Sequence, residues 1–263
     1  MSVKDLRYQV AAEGFGKMVG RKLFWSWQGW LLIPAALLCL SCKNIDQAAF
    51  DKGMDAYARG DFKTAMEEWR PLAERGNPSA QTNLGVMYYQ GRGVRPDSEE
   101  AMRWYRLAAL KGYPEAYYNM GVAYTEGKGV EQSSEEALRW YKAAAEGGYV
   151  AAQLLLGNLY SRGQGVEADA KEAARWFQAA ADQGDSTAQF LLATAYLSGN
   201  GVDQDDVQAY KWLTITAERG NDQAKASASL AMQRLAERME ETQIAEAKRL
   251  ANEWLATINA EGN

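Results

Sequence analysis

Between Ala80 and Ala224 the chain repeats itself four times at a period of 36 residues, with no insertion or deletion. Trp104, Trp140, Trp176 and Trp212 mark the period, as do Tyr88, Tyr124, Tyr160 and Tyr196, and Gly112, Gly148, Gly184 and Gly220. A Gly-x-Gly-Val punctuation recurs in register at Gly91/Gly93/Val94, Gly127/Gly129/Val130, Gly163/Gly165/Val166 and Gly199/Gly201/Val202. A fixed period of this length constrains the fold more than any other feature of the chain. Each unit is one supersecondary element that cannot bury its apolar face alone, so the units must stack.

Within a unit the pattern is helix, loop, helix. Ala80, Leu84, Met87 and Tyr88 follow the i, i+4, i+7, i+8 spacing of one helical face. Gly91 then ends the helix, because glycine accepts the positive φ of a C-terminal cap. Asp97 is placed to cap the second helix, and Glu100 three residues on predicts a reciprocal capping box. The same pairing recurs as Ser133/Glu136, Asp169/Glu172 and Asp205/Gln208. The second helix carries Ala101, Trp104, Tyr105, Ala108 and Ala109 as one broad stripe, with small residues for close approach and aromatics to fill the space between units. The Trp series reads as core rather than as a stacking ladder for a ligand. The fold class that follows is all-α, an open solenoid of helix pairs.

The ends depart from the period. Asp61, Ala65, Ala73 and Gly76 precede Asp97, Ala101, Ala109 and Gly112 by the full 36 residues, whereas Ala49 and Tyr57 precede Ala80 and Tyr88 by only 31. The segment 47–79 is therefore a shortened first repeat, with five residues lost from its loop and Trp69 in the place of Tyr105. Four full repeats occupy 80–223. Residues 224–263 read as two capping helices, Lys225 to Arg238 and Glu240 to Ile258, the second with Ile244, Ala247, Leu250, Ala251, Trp254 and Leu255 as its apolar stripe.

Before the repeats, Arg21 and Lys22 precede an uncharged run from Leu23 to Ser41, followed by Cys42. A basic patch, a short apolar heart and a small residue before cysteine resemble a bacterial lipoprotein signal, with Cys42 the lipidated residue. Cys39 stands where that motif usually has an aliphatic residue. Ordinary cleavage and an uncleaved signal-anchor are the alternatives, since the run approaches the length of a spanning helix. Each of the three exports the repeats, so residues 1–41 are expected to be a leader, and a start at Met18 would give it an ordinary basic beginning. Cys39 and Cys42 are the only cysteines, so the repeats hold neither a disulfide framework nor a thiolate metal site.

Composition excludes several functions. There is no histidine, which removes the commonest general base and the commonest zinc ligand. The net charge is −5, and residues 1–41 contain five basic and two acidic residues, so a product beginning at Cys42 would carry −8. An acidic array repels phosphate backbones, and no nucleic-acid partner is expected. No metal, cofactor or catalytic residue is assigned. Glu126 and Asp203 lie near loops and are better read as solvated or capping carboxylates than as an acid–base pair.

From Ala80 to Ala116 the residues read Ala-x3-Leu-Gly-x2-Tyr-x2-Gly-x-Gly-Val-x2-Asp-x3-Ala-x2-Trp-x3-Ala-Ala-x2-Gly-x3-Ala. This pattern resembles the Sel-one-like repeat (SLR) family, a branch of the tetratricopeptide-like α-solenoids, and the resemblance covers about 47–224. The tail from Gln243 to Ala247, ending at Trp254, is similar to the C-terminal cap of bacterial members. Departures are Ala193 for the glycine of Gly85, Gly121 and Gly157, Ser133 for the capping Asp, and Leu213 for the second aromatic. The resemblance implies a right-handed α-solenoid whose concave face binds other proteins, as adaptors in signalling, quality control, envelope assembly and host contact do. Some cysteine-rich relatives are associated with β-lactams. This chain lacks their paired cysteines, and an enzyme is not expected.

First-helix positions opposite the packed stripe would line such a groove. They are Thr82, Val86 and Tyr89; Tyr118, Val122 and Thr125; Leu154, Asn158 and Ser161; and Phe190, Thr194 and Leu197, with Asn83 and Asn119 beside them. None is charged. An uncharged, partly aromatic groove with amide donors suits an extended segment of another protein, here expected to be one of the bacterial cell envelope. A structural envelope lipoprotein without a discrete ligand is the alternative.

Overall fold

The computed structural model describes residues 35–261, and twelve helices with no strand make up the regular structure of that range. The described backbone divides into two compact units that part between Ser133 and Ser134. Met18, the run from Leu23 to residue 34 and the side chain of Cys42 lie outside what is described, and with them the expected processing site. Among the described residues no helix is long and apolar enough to cross a membrane.

The first unit contains α1 (Ala35–Ala58), α2 (Phe62–Glu74), α3 (Pro78–Gln90), α4 (Ser98–Ala109) and α5 (Pro114–Glu126). Each packs on the next in the chain, and α3 also touches α5. Ala56, Ala65, Trp69, Leu72, Ala73, Ala80, Leu84, Met87 and Trp104 form its buried cluster. The second unit contains α6 (Ser134–Glu146), α7 (Val150–Arg162), α8 (Ala170–Asp182), α9 (Ser186–Ser198), α10 (Asp206–Arg219), α11 (Asp222–Ala236) and α12 (Glu241–Glu261). Here too successive helices pack from α6 to α11, and α12 folds back on α10. Trp254 of α12 meets Trp212 edge-on, with ring centroids 5.7 Å apart. The capping helices begin and end a few residues from their predicted bounds. Asn221 accepts the Ala224 N–H and so starts α11 at Asp222.

The loops explain the repeat's fixed residues. Gly91 closes α3 in the left-handed conformation at φ 68°, and Gly127, Gly163 and Gly199 do the same one repeat on each time. The second glycine of the motif is left-handed too, at φ 74° in Gly93, 72° in Gly129 and Gly165 and 81° in Gly201, and at Gly129 and Gly201 it also serves close approach. A Cβ on Gly129 would lie 2.2 Å from the Ser98 carbonyl oxygen, and one on Gly201 would lie 2.0 Å from that of Ala170. Asp97, Asp169 and Asp205 cap their helices, accepting the N–H groups of Glu100, Glu172 and Gln208 respectively.

At Asp97, Asp169 and Asp205 the reciprocal half of the expected capping box is not formed, for a physical reason. The backbone N–H of Asp97 donates to the Tyr88 carbonyl across the loop, and Ser133, Asp169 and Asp205 bond Tyr124, Tyr160 and Tyr196 in the same way. With that donor occupied, Glu100 turns to Arg103, whose Nη2 lies 2.6 Å away; Glu136 pairs with Arg139 and Glu172 with Arg175 likewise. The Arg103 and Arg175 guanidinium carbons in turn cover the indoles of Trp104 and Trp176, 4.2 and 3.9 Å from the ring centroids.

The shortened first repeat merges two roles in one residue. In α3 the N–H of Arg92 closes the helix on the Met87 carbonyl, and Asp97, five residues later, caps α4. After α1 the Asp61 N–H closes the helix on the Ala56 carbonyl, and the Asp61 carboxylate caps α2 through the Thr64 N–H.

Two departures from the repeat prove to be one packing change. A Cβ on Gly85 would lie 2.4 Å from the Tyr105 ring, and one on Gly157 would lie 2.4 Å from the Phe177 ring. In the fourth repeat the pair becomes Ala193 and Leu213, both buried in the same cluster. A methyl is gained where a ring is lost.

Candidate functional site

The first-helix residues fall in both units, and each set has its own surroundings. In the first unit α3 and α5 lie side by side. Asn83, Val86 and Tyr89 of α3 and Tyr118, Asn119 and Val122 of α5 are all half-buried. Thr125 is exposed, with its hydroxyl donating to the Gly121 carbonyl. Tyr89 ties the two helices together. Its hydroxyl donates to Glu126 Oε2 at 2.9 Å, and Lys128 Nζ lies 2.6 Å from the same oxygen and 5.3 Å from the Tyr89 ring centroid. These contacts, the Lys128 hydrogen bond first and the Tyr89 hydroxyl second, hold the Glu126 carboxyl below its ordinary range. A carboxylate so held stays ionised, which suits a latch and not a proton donor.

Thr82 does not belong to this face. It is wholly buried, and its hydroxyl donates to the Pro78 carbonyl. Its counterparts Tyr118, Leu154 and Phe190 are longer side chains that retain exposed area at the same position.

In the second unit, Leu154, Phe190 and Leu197 pack against the unit's core while remaining partly exposed. The polar members bond to their own helices. Asn158 Nδ2 donates to the Leu154 carbonyl and the Thr194 hydroxyl to that of Phe190, both at 2.9 Å. Ser161 is exposed. The amide of Asn83 in the first unit is turned to Met54 Sδ at 3.6 Å. The faces therefore present apolar and aromatic edges more than free amide donors, which is a change from what composition suggested.

Sequence reasoning also missed a repeated polar position. Gln81, Gln153 and Gln189 are buried and donate through Nε2 to the Ala73, Ala145 and Ala181 carbonyls at the end of the preceding helix; Tyr117 does this for Ala109 through its hydroxyl. Each adds a second hydrogen bond to a carbonyl that already accepts a backbone N–H, from Gly76, Gly148, Gly184 and Gly112 respectively, and so ties the helix end to the next helix. The change from Gln to Tyr in one repeat hides the position in a one-dimensional pattern. Among the described residues there is no group of three or more Cys, Asp or Glu side chains placed to hold a metal ion.

The Sel1 repeat matches at 78–113, 114–149, 150–185 and 186–221. Among solved structures, the chain is similar to c5321 of uropathogenic Escherichia coli, a protective antigen displaying an SLR fold. Identity is 36% over 80% of this chain and 46% of that one, with a TM-score of 0.61. A Sel1 repeat protein from Oxalobacter formigenes is 38% identical over 64% of this chain and 49% of its own, with a TM-score of 0.59. The chain thus spans about half the length of these solved relatives. No curated protein matches it. With four successive repeats matched and the helix pairs stacked as in those structures, the chain belongs to the Sel1 repeat family.

Proposed function

We propose that this chain is a non-catalytic scaffold of the bacterial cell envelope that binds a segment of another protein along its first-helix faces. The observation that carries the reading is the paired face of α3 and α5. Val86, Tyr89, Tyr118 and Val122 stand half-exposed on adjacent helices, fixed by the link from Tyr89 to Glu126, with no charged side chain among them. Half-exposed aromatic and branched side chains on rigid helices lose little conformational freedom when covered, and they give a partner contact area at low entropic cost. Family membership supports the same reading, since stacked-repeat proteins offer extended binding surfaces. The envelope location rests on the basic patch, the uncharged run from Leu23 to Ser41 and Cys42. On this reading the repeats sit on the exported side of a membrane, held by lipid at Cys42 or by an uncleaved anchor.

The test is a pull-down from a membrane fraction with the wild-type chain beside a Tyr89→Ala/Tyr118→Ala variant. Capture of a discrete partner by wild type and its loss from a variant of unchanged helicity supports the scaffold. Equal capture by both moves the interface off these faces. Radiolabelled palmitate incorporated by wild type and not by Cys42→Ala tests the anchor separately.

A further inference from the structure

The first unit holds a cleft that shares no residue with the first-helix faces. It encloses about 590 Å³ between the end of α2, the start of α3 and the outer side of α4. Arg70, Arg75, Arg103 and Lys111 line it against a single carboxylate, Glu74, and the walls between them are Trp104, Leu107 and Leu110. Arg75 pairs with Asp46 at 2.6 Å and Arg103 with Glu100 at 2.6 Å, both on the rim. The other two cations contact neutral groups: Arg70 donates to the Tyr88 hydroxyl at 2.9 Å and Lys111 to the Gly76 carbonyl at 2.5 Å. Gln81 lines the cleft and is 4% exposed. Its Nε2 is used on Ala73, and its Oε1 is buried with no hydrogen-bond partner.

The repeat supplies an internal control. Two periods on, in the second unit, Gln153 stands where Gln81 does and Gln183 where Lys111 does. There Gln183 Nε2 donates to Gln153 Oε1 at 2.8 Å, so the buried acceptor is satisfied from within. The positions of Arg70, Glu74, Arg103 and Leu110 are taken by Lys142, Glu146, Arg175 and Asp182, two charges of each sign. Around Gln189, whose Oε1 is also unpartnered, the charged positions are Asp182, Lys211, Glu218 and Arg219, again balanced. Among the described residues, only the cleft around Gln81 joins an open buried acceptor to a surplus of positive charge, and it does so on a chain whose net charge is −5.

We propose that this cleft is a second binding site, for an acidic peptide segment. Carboxylates of the segment meet Arg70 and Lys111, an apolar side chain rests on Leu107 and Leu110, and a backbone N–H of the segment donates to Gln81 Oε1. Phosphate would satisfy the cations but not the acceptor, because at neutral pH its oxygens accept far more than they donate.

The experiment titrates the full chain with a fluorescein-labelled peptide of Glu, Asp and Leu, followed by anisotropy, with the Gln/Asn/Leu counterpart as a control. Two variants are compared with wild type, Arg70→Glu/Lys111→Glu and Lys111→Gln. The second copies the residue at Gln183, whose amide is expected to close the acceptor as it does on Gln153. The expected result is salt-sensitive binding of the acidic peptide, weaker on the order of tenfold in Lys111→Gln and lost in the double variant, with thermal melting of Lys111→Gln at or above wild type. No binding of the acidic peptide, or equal binding by all three proteins, overturns the site. Displacement of the peptide by inorganic phosphate at equal concentration overturns the peptide assignment in favour of a phosphate ligand. The first-helix variant Tyr89→Ala/Tyr118→Ala is expected to bind the acidic peptide as wild type does, so the two surfaces fail or survive separately.

Discussion

The buried stripe of the second helices and the half-exposed face of the first helices are written by the same 36-residue period, yet they use it differently. On the second helices the residue is held: Trp104, Trp140, Trp176 and Trp212 are the same side chain four times, each at most 4% exposed. On the first helices the residue is free. Val86 becomes Val122, Asn158 and Thr194, and Tyr89 becomes Thr125, Ser161 and Leu197. A position that must fill the gap between stacked helices has one acceptable volume, and repetition preserves it. A position that faces outward has no such constraint and can diverge from repeat to repeat toward a partner. Within one chain, then, sameness across repeats marks packing, and difference marks the surface open to specialisation.

This contrast can be broken first at its strongest point. Trp104→Ala empties a site 3% exposed, and the expected cost is about 3–5 kcal/mol, read as a lower denaturant midpoint. A cost similar to that of a surface change would end the core assignment. A finer test uses the pair that varies together. Gly85→Ala drives a methyl into the Tyr105 ring and should cost about 1–3 kcal/mol. Adding Tyr105→Leu, which copies the Ala193 and Leu213 pair, should make the double variant less costly than the sum of its single changes. Simple additivity would mean that the two departures in the fourth repeat are unrelated.

Smaller effects belong to the caps and the first-helix face. Asp97→Ala removes the acceptor for the Glu100 N–H and should cost about 1 kcal/mol, whereas Glu100→Ala should cost well under that, because its carboxylate pairs with exposed Arg103 and not with the helix start. Equal losses would restore the reciprocal capping box. Last comes the latch on the first-helix face. The folded-state pKa of Glu126 is lowered, so its contribution is fully present above the ordinary carboxylate value and is lost as pH falls through the lowered one. Carbon-detected NMR of the Glu126 carboxyl should show a midpoint below that of a free glutamate, and Lys128→Gln should move it up. A midpoint at the ordinary value in wild type would dissolve the latch.

The contrast also explains what the sequence could reveal. Helix pairs, the glycine caps, the Asp caps and the Trp core were legible because each is dictated by local spacing repeated in register. Three features were not. Glu100 obeys the capping-box spacing, but its partner N–H is bonded to Tyr88 from across the loop, a contact that local spacing does not contain. Thr82 sits on the outward period and is nonetheless wholly buried, which depends on its neighbours and not on its helix. The cleft around Gln81 draws on three helices, and its open acceptor is visible only beside the satisfied one at Gln153.

The claim that the first-helix faces are where a partner docks is tested most directly by photo-crosslinking in cells. A photoreactive amino acid is placed singly at Val86 or Tyr118 on those faces, and at Arg106 or Gln178 on the outer side of the second helices. The account predicts one discrete adduct from Val86 and Tyr118 and none from Arg106 or Gln178. The same adduct from the second-helix positions, with none from Val86 and Tyr118, would contradict it.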